Sequence, residues 1–419
     1  MPYKAYRKPR RIIVCTIFTF YFYADTFYLR VNYYFATMQF KEIIGQEAIK
    51  AHLTNSVRTN RISHAQLFLG PEGNGGLALA LAYAQFICCD QPLQDDSCGE
   101  CASCRKYEKL IHPDLHFSYP FFAKHKDDTA LSFIEEWRKI FIENPYLGLD
   151  AWREQLNVDN KQANINIAEC HSIIRKLSLK PFESEYKVLI MWLPEYLEKE
   201  GNALLKIIEE PPQKTLFLLV AQNQDQILNT IISRTQIVKI PKLGSEDVAG
   251  YLSKKFGTDH EKAQQIAYLS SGNLHAAQNF LSHEENNYHD LFASWLRTCW
   301  GNQGLKVIDL TENTFAKLGR ENQKNLLRYG TNLMRECLLF LAETPGLIHL
   351  PDKEMEFIAN FSKVLSLAKA EAISAELEKA YYHIERNANP KILFLDVSLN
   401  LVKILKFNTF PAGTHHILL

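Results

Sequence analysis

Apolar residues in this chain gather into short runs separated by polar segments. The clearest runs read AQLFLG from Ala65, EYKVLIMWL from Glu185, TLFLLVAQ from Thr215 and TQIVKI from Thr235. Short apolar runs bounded by polar, Gly or Pro residues indicate buried β-strands. HPDLHFSYPFF, from His112, is the fifth candidate strand. Helical patterns lie between the runs, and this alternation predicts an α/β fold with a parallel sheet covered on both faces.

Helical spacing of apolar residues predicts the intervening elements. One helix is predicted over residues 38–60, and another from the turn after AQLFLG to about Cys89. NINIAECHSIIRKLSLKP is predicted as a helix, and EKEGNALLKIIEEPP as one that Pro211 ends. ILNTIISR is predicted as a short helix.

Residues 120–160 interrupt this alternation and are interpreted as an inserted helical pair. The insertion contains TALSFIEEWRKIFIENPYLGLDAWREQL, with Leu131, Ile134, Trp137 and Phe141 at helical spacing. We expect these side chains to pack in a core. No role for the insertion follows from the sequence.

Beyond Pro241 the pattern is helical only, which predicts separate helical domains. The predicted division is a leader at 1–37, an α/β domain at 38–242 with a cysteine module near 88–105, a small helical bundle at 243–283 and a larger one at 284–410. The leader has a basic start and an apolar run from Ile12 to Ala24 that is too short to span a bilayer. We interpret Met38 as the true translation start, and a targeting segment is the alternative.

Composition narrows the classes of protein. The 419 residues are 47% hydrophobic and 22% charged, which is typical of a globular protein. Lys plus Arg and Asp plus Glu both total 47, so the balance argues against a strongly basic nucleic-acid sheath. There are nine cysteines, and their clustering favours a metal site in a reducing compartment over disulfides.

The highest density of candidate metal ligands is in the segment CGECASC, which contains Cys98, Cys101 and Cys104. Four thiolates at such spacing are typical of a structural zinc site with no open coordination position. Either Cys88 or Cys89 could be the fourth ligand. A redox-active dithiol is the alternative, although it needs only one C-x-x-C pair.

GPEGNGG, from Gly70, follows a predicted strand and begins a predicted helix, as a phosphate-binding P-loop does. Its glycines are Gly70, Gly73, Gly75 and Gly76. The lysine and hydroxyl of a working P-loop are replaced by Gly76 and Leu77, so neither the charge nor the magnesium ligand is present.

The acidic residue expected on another strand is missing as well. Trp192 and Leu193 follow the apolar run KVLIM, and Glu195 lies beyond Pro194. Two losses in one site argue against nucleotide hydrolysis. The segment is interpreted either as a simple Gly-rich turn or as a nucleotide-binding fold kept as a scaffold.

Arg234 lies in IISRTQ, between a predicted helix and a predicted strand. An isolated surface arginine most often makes only a local ion pair. In ring ATPases, however, an arginine at this edge stabilises the phosphoryl group bound by the neighbouring subunit. A subunit can therefore lose its own site and still complete its neighbour's.

Taken together, these segments resemble the clamp-loader branch of the AAA+ proteins, with a delta-prime-like pattern. The resemblance runs from Phe40 to about Leu399. It is carried by FKEIIGQEAIKAHL, ISHAQLFLGPEGNGG, HPDLHF, EGNALLKIIEEPPQKTLFLLV, SRT, SSGNLHAAQNFL and IERNANPKILFLDVSL, together with the C-x8-CGECASC module.

The resemblance implies a RecA-like AAA+ domain with a zinc module, a helical lid and an all-α collar that joins subunits into a ring. It selects Cys89 over Cys88, and so implies structural zinc on Cys89, Cys98, Cys101 and Cys104. It assigns to Arg234 the role of an arginine acting in trans. His275 stands where the lid normally carries a phosphate-sensing arginine.

The function implied is that of a non-hydrolysing, cytoplasmic clamp-loader subunit of the DNA polymerase III holoenzyme. ATP would bind only at a neighbour's site, and no intrinsic ATPase is expected. The implied partners are gamma/tau-type ATPase subunits, a delta-type subunit and, through the ring, the sliding clamp and primed DNA; no membrane is involved. The alternatives are an active ATPase that uses Glu195, Glu209 or Glu210, and a zinc-bearing adaptor outside any ring.

Overall fold

The computed structural model describes residues 38–158, 162–282, 288–343, 352–386 and 388–410, together with Ile348 and Leu350. The predicted leader at 1–37 lies outside these residues. The predicted boundary at 283/284 also falls in a segment outside them.

A five-stranded parallel sheet forms the centre of the first half of the described chain. Its strand order is β2-β3-β4-β1-β5. The strands are β1 (Ala65–Leu69), β2 (Leu115–Ser118), β3 (Lys187–Trp192), β4 (Thr215–Ala221) and β5 (Gln236–Lys239). Each of the five predicted runs contains one strand, so the predicted α/β fold class is confirmed.

Helices cover both faces of this sheet. They are α1 (Glu47–Arg58), α2 (Gly76–Ile87), α3 (Ala102–Glu108), α4 (Ile134–Glu143), α5 (Leu149–Gln155), α6 (Ile167–Leu177), α7 (Leu205–Glu209) and α8 (Asn229–Ile232). Side chains alternate between the faces of each strand. Leu67 packs in a buried cluster with residues of α6, α7 and α8, whereas Phe68 contacts the ring of Tyr83 on α2.

Two helix predictions are wrong in part. Residues 38–60 contain a short 3-10 turn at Phe40–Glu42, and α1 begins only at Glu47 because Gln46 adopts a left-handed φ of 62°. The predicted helix EKEGNALLKIIEE is mostly 3-10, spanning Pro194–Leu204, and becomes α-helical only in α7. Its break lies at Glu198, whose φ is 45°.

The insertion forms the predicted helical pair, α4 and α5, preceded by a 3-10 turn at Ala130–Phe133. Trp137 is fully buried and stacks on Tyr119 after β2, with ring centroids 4.0 Å apart. Leu131 does not join this core. It remains 59% exposed because the 3-10 turn directs Phe133 inward instead.

The rest of the described chain is helical, and no strand occurs in its described residues after β5. Three helices come first: α9 (Ser245–Phe256), α10 (His260–Ser270) and α11 (Leu274–Ser282). Six further α-helices follow in the described residues: α12 (Tyr288–Trp300), α13 (Gly304–Asp309), α14 (Arg320–Leu341), α15 (Asp352–Phe361), α16 (Leu367–Glu385) and α17 (Pro390–Phe407). A single buried cluster joins the two sets. Within the described chain, none of the helices is long and apolar enough to cross a membrane.

Candidate functional site: a filled P-loop, an exposed arginine and a cysteine cluster

The P-loop turn lies where the sequence predicts it, between β1 and α2. One of its side chains, that of Asn74, forms hydrogen bonds with backbone groups of the turn and of its neighbour. Asn74 is buried, donates from Nδ2 to the carbonyl of Ile240 at 3.1 Å and accepts at Oδ1 from the N–H of Gly76 at 2.9 Å. The first N–H of α2 is therefore occupied by a side chain rather than available to a phosphate.

Glycine is required at two places in this turn because other chain segments approach closely. At Gly75, φ is +86° and a β-carbon would lie 2.9 Å from Cε1 of Tyr146. At Gly73, φ is +72° and a β-carbon would lie 2.0 Å from Oδ1 of Asn273. Leu274, the first residue of α11, donates its N–H to the carbonyl of Gly73 at 3.1 Å.

Tyr146 of the insertion fills the space beside the P-loop. Its side chain is buried, and its hydroxyl accepts from the N–H of Ile44 at 3.0 Å. The remaining cavity, lined by the turn, Tyr146, Trp192 and Gln222, has a volume of about 30 Å³. This is room for about one or two water molecules, whereas sites for drug-sized ligands hold about 300–1,000 Å³.

The position of the missing acid is filled by an aromatic side chain. Trp192 is 3% exposed, and its ring lies 5.3 Å from that of Trp137 on α4. Glu195 is also buried, but its Oε1 accepts from the backbone N–H groups of Gln222 and Asn223, at 2.5 and 2.8 Å. Burial raises the pKa of Glu195. Glu195 therefore pairs with backbone N–H groups just after β4, which is a structural role.

His275 lies in the first turn of α11 and faces the P-loop. It is 6% exposed, and burial lowers its pKa. Its Nε2 lies 4.0 Å from Oε1 of Glu72 and 3.2 Å from Nδ2 of Asn279. A neutral, enclosed imidazole cannot supply the positive charge that an arginine would bring to a phosphate.

Arg234 follows α8 and precedes β5, on a surface that water reaches. Its Nε donates to Oε2 of Glu209 at 2.9 Å, and its Nη1 donates to the carbonyl of Thr230 at 2.9 Å. The side chain of Arg234 is 31% exposed and that of Glu209 57% exposed. The guanidinium is therefore held in one orientation while part of it still faces solvent.

The four predicted thiols converge in one cluster. The Sγ atoms of Cys89, Cys98, Cys101 and Cys104 all lie within 4.8 Å of one another. The distances from Cys89 to Cys98 and Cys104 are 3.5 and 3.6 Å. Four thiolates about 2.3 Å from a tetrahedral zinc ion would lie about 3.8 Å apart, so the donor set fits zinc.

Backbone groups support this cluster. The N–H of Cys98 points to Sγ of Cys89 at 3.3 Å, that of Cys101 to Sγ of Cys98 at 3.3 Å, and that of Cys104 to Sγ of Cys101 at 3.4 Å. Such N–H···S contacts stabilise thiolate charge beside a metal. Cys88 lies outside the cluster. Its Sγ faces the carbonyl of Tyr186 at 3.7 Å, and burial raises its pKa to about 11.

Some residues of this region were missed by the sequence reasoning. Gln46 donates from Nε2 to the carbonyls of Asn74 and Pro241, at 3.1 and 2.8 Å, and so joins α1 to the P-loop turn. Gln222 and Tyr146 line the cavity. The only sequence signal for Tyr146 is the Pro/Gly-bounded turn NPYLG between two helical patterns.

Comparison with known proteins supports the predicted resemblance. A family described as "DNA polymerase III, delta subunit" matches residues 45–244, slightly less than half of the chain. The relatives are subunits of DNA polymerase III. The gamma subunit of DNA polymerase III from Buchnera aphidicola (strain APS) is 26% identical over 253 residues, which are 59% of this chain and 59% of that protein. The delta' subunit from Bacillus subtilis is 26% identical over 235 residues, 56% of this chain and 58% of that protein.

The chain thus spans about three fifths of the length of these two relatives, and less of the longer ones. These gamma and delta' subunits are both 26% identical to the chain, so the identity does not separate the two types. A solved clamp-loader delta protein from Bacillus subtilis aligns with 84% of this chain and 99% of its own, at 13% identity and a TM-score of 0.29. A likeness this weak carries no further conclusion.

Proposed function

We propose that this protein is a non-hydrolysing, delta-prime-like subunit of a DNA polymerase III clamp loader in the bacterial cytoplasm. Its Arg234 would complete the ATP site of a neighbouring gamma/tau-type subunit. Nucleotide binding there would then be coupled to loading of the sliding clamp on primed DNA. The protein would have no ATPase activity of its own.

The observation that carries this proposal is the filled P-loop pocket. The cavity of about 30 Å³ is too small for a nucleotide, and Tyr146 occupies the space in front of Gly75. The lysine and the acid that would act on phosphate and magnesium are replaced by Gly76 and Trp192. Opening the pocket would require several buried groups to move before any binding contact formed.

The surroundings of Arg234 support an action in trans. Its guanidinium is ordered by Glu209 and by the carbonyl of Thr230, so little side-chain entropy would be lost on meeting a phosphate. Glu209 is more than half exposed, so water screens the pair and a dianionic phosphate could compete for it.

The cysteine cluster suits a structural zinc ion held by Cys89, Cys98, Cys101 and Cys104. All four ligand positions would be filled, so the ion would offer no site for a water nucleophile. Its role would be to fix α3 against the end of α2. The helical regions at 243–283 and 284–410 would be the lid and the collar, through which a delta-type subunit and ATPase subunits assemble.

The test is ATP turnover by a reconstituted ring of gamma/tau-type and delta-type subunits with clamp and primed DNA. The ring would contain either this chain or its Arg234→Ala variant. We expect turnover to fall several-fold with Arg234→Ala, because the neighbour's transition state loses a positive charge. The matched control is Arg58→Ala, which removes another surface arginine whose partner is Asp95. Unchanged turnover with Arg234→Ala would overturn the proposal, and so would turnover by the chain alone.

In the first alternative, an active ATPase, two of the three candidate acids already have partners. Glu195 is used by two backbone N–H groups, and Glu209 is paired with Arg234. The second alternative, an adaptor outside any ring, predicts that no partner's ATPase responds to Arg234→Ala. The same experiment therefore distinguishes all three functions.

A further inference from the structure

We propose that residues 144–148, the loop between α4 and α5, form an internal clasp. The clasp occupies the P-loop pocket and joins the sheet to the helices after β5. This inference concerns the isolated chain and does not depend on the role of Arg234.

The clasp contacts the P-loop side through Tyr146. The phenol ring lies against Gly75, which has no room for a β-carbon beside it. Its hydroxyl accepts from the N–H of Ile44, which precedes α1. One side chain therefore touches both the P-loop turn and the segment that precedes α1.

The same loop also contacts α9 and α11. Nδ2 of Asn144 donates to Oε1 of Gln278 on α11 at 2.7 Å, and Nε2 of Gln278 donates to the hydroxyl of Tyr251 on α9 at 3.3 Å. The rings of Tyr146 and Tyr251 lie 6.3 Å apart. Oδ1 of Asn144 accepts from the N–H of Tyr146 at 3.1 Å, which fixes the turn itself.

A further contact, two residues beyond the clasp, reaches α14. Asp150, in the first turn of α5, forms an ion pair with Lys324 of α14 and another with Arg153 at 3.1 Å. The side chains of Lys324 and Asp150 are only 4% and 18% exposed. Because water is largely excluded, this pair is screened far less than a surface pair.

The base of the clasp is rigid. Trp137 of α4 stacks on Tyr119, and Nε1 of Trp152 on α5 donates to the carbonyl of Pro120 at 2.7 Å. Both tryptophans are fully buried. The insertion is thus anchored to the segment after β2, and its loop can hold other parts of the chain in place.

A nucleotide bound at a P-loop beside a lid helix would link those two parts only while it stayed bound. Here the link belongs to the chain, so no translational entropy is lost in forming it. The clasp would keep α9–α11 in one orientation whether or not ATP is present. It also gives a physical reason for a chain without P-loop chemistry to keep the P-loop shape.

Hydrogen–deuterium exchange of the full chain tests the clasp, with Tyr146→Ala as the variant. We expect exchange at residues 72–77 and 273–279 to become about tenfold faster or more, which corresponds to the loss of one well-buried contact. Exchange in β3 and β4 should stay as in the wild type. Added ATP and magnesium should not slow exchange at 72–77 in the wild-type chain.

The matched control is Phe133→Ala in the same insertion. Phe133 is a buried aromatic that stacks on Phe121, with ring centroids 5.6 Å apart, rather than on the P-loop. If Tyr146→Ala also loosens β3 and β4, then Gln278→Ala decides, because it breaks the contact from the α11 side. Faster exchange at 273–279 in that variant would support the clasp. The clasp would be overturned if Tyr146→Ala and Gln278→Ala both left exchange at 72–77 and 273–279 as in the wild type. Protection of residues 72–77 by ATP in the wild-type chain would also overturn it.

Discussion

The Gly-rich turn after β1 and the surroundings of Arg234 differ sharply. At the P-loop, Tyr146 of the insertion and Trp192 of β3 line the small remaining pocket, and Asn273, just before α11, lies against Gly73. By contrast, the side chain of Arg234 is partly exposed, and it is oriented by the carboxylate of Glu209 and the carbonyl of Thr230. One region has been closed by packing, and the other has been left accessible.

Under the proposed function, the two halves of a shared site would be maintained separately. A P-loop needs backbone N–H groups, a lysine and a metal ligand on one chain, and the loss of any of them removes activity in that chain. An arginine supplied in trans needs only charge and orientation. Substitutions in the closed P-loop region and around Arg234 can show whether the two regions are independent.

Removal of zinc should have the largest effect, and it should act through α2, which begins at the P-loop turn and ends just before Cys89. The variant Cys101→Ser, or a chelator, should lower stability by several kcal/mol, since structural zinc contributes about 10–16 kcal/mol of apparent binding free energy in zinc-finger peptides. Zinc content and thermal unfolding provide the measurement. Cys88→Ala is the control and should retain the metal, because Cys88 lies outside the cluster. If the purified wild-type protein contains no zinc, and added zinc does not raise its stability, the assignment of a structural zinc site is contradicted.

Restoring the P-loop side chains should destabilise the chain without restoring nucleotide binding. In Gly76→Lys with Leu77→Thr, a β-carbon at 76 would lie 3.2 Å from Oδ1 of Asn74 and 3.4 Å from Val220. Overpacking of this kind costs about 1–3 kcal/mol. Urea unfolding combined with an ATP titration measures both effects. Saturable ATP binding by the double variant would show that the pocket opens easily.

Loss of the Arg234 partner should change stability little. Glu209→Gln breaks a partly exposed ion pair, and such pairs contribute about 0–1 kcal/mol. Arg234 would then be less well oriented, so turnover of a ring containing the variant should fall less than with Arg234→Ala. Glu210→Gln serves as the neighbouring control. A stability loss well above that range would mean that Arg234 is mainly structural.

The smallest expected effect is the pH response of Glu195. Burial raises its pKa in the folded protein above the unfolded value, so the folded state binds more protons between the two values. The contribution of Glu195 to stability therefore decreases as pH rises through this window. We expect Glu195→Gln to be as stable as the wild type at neutral pH or up to about 1 kcal/mol more stable, with the gain disappearing in acid. Denaturant unfolding at both pH values measures it, and a large loss at neutral pH would contradict this interpretation.

Local patterns predicted the strands and the cysteine cluster well, because both depend on short-range sequence. The run around Leu67 is apolar since both faces of its strand are covered, and the spacing of Cys98 and Cys101 is set by one tight loop. The start of α1 was missed because Gly45 and Gln46 adopt left-handed backbone conformations, which helical periodicity does not reveal.

The contents of the pocket could not be predicted. Tyr146 meets Ile44 across 102 residues of sequence, and Asn144 meets Gln278 across 134. Such contacts depend on the tertiary path of the insertion, which leaves no periodic signal. The sequence did show that the lysine and the acid were absent, but it did not show which side chains had taken their space.

An equilibrium titration of the isolated chain with a fluorescent ATP analogue and magnesium tests most directly whether the chain's own site is closed. We expect no saturable binding, because Tyr146 and the turn leave a cavity of only about 30 Å³. The same titration with a gamma/tau-type subunit provides the positive control. Saturable binding to the isolated chain, displaced by unlabelled ATP, would contradict the claim that its own site is closed.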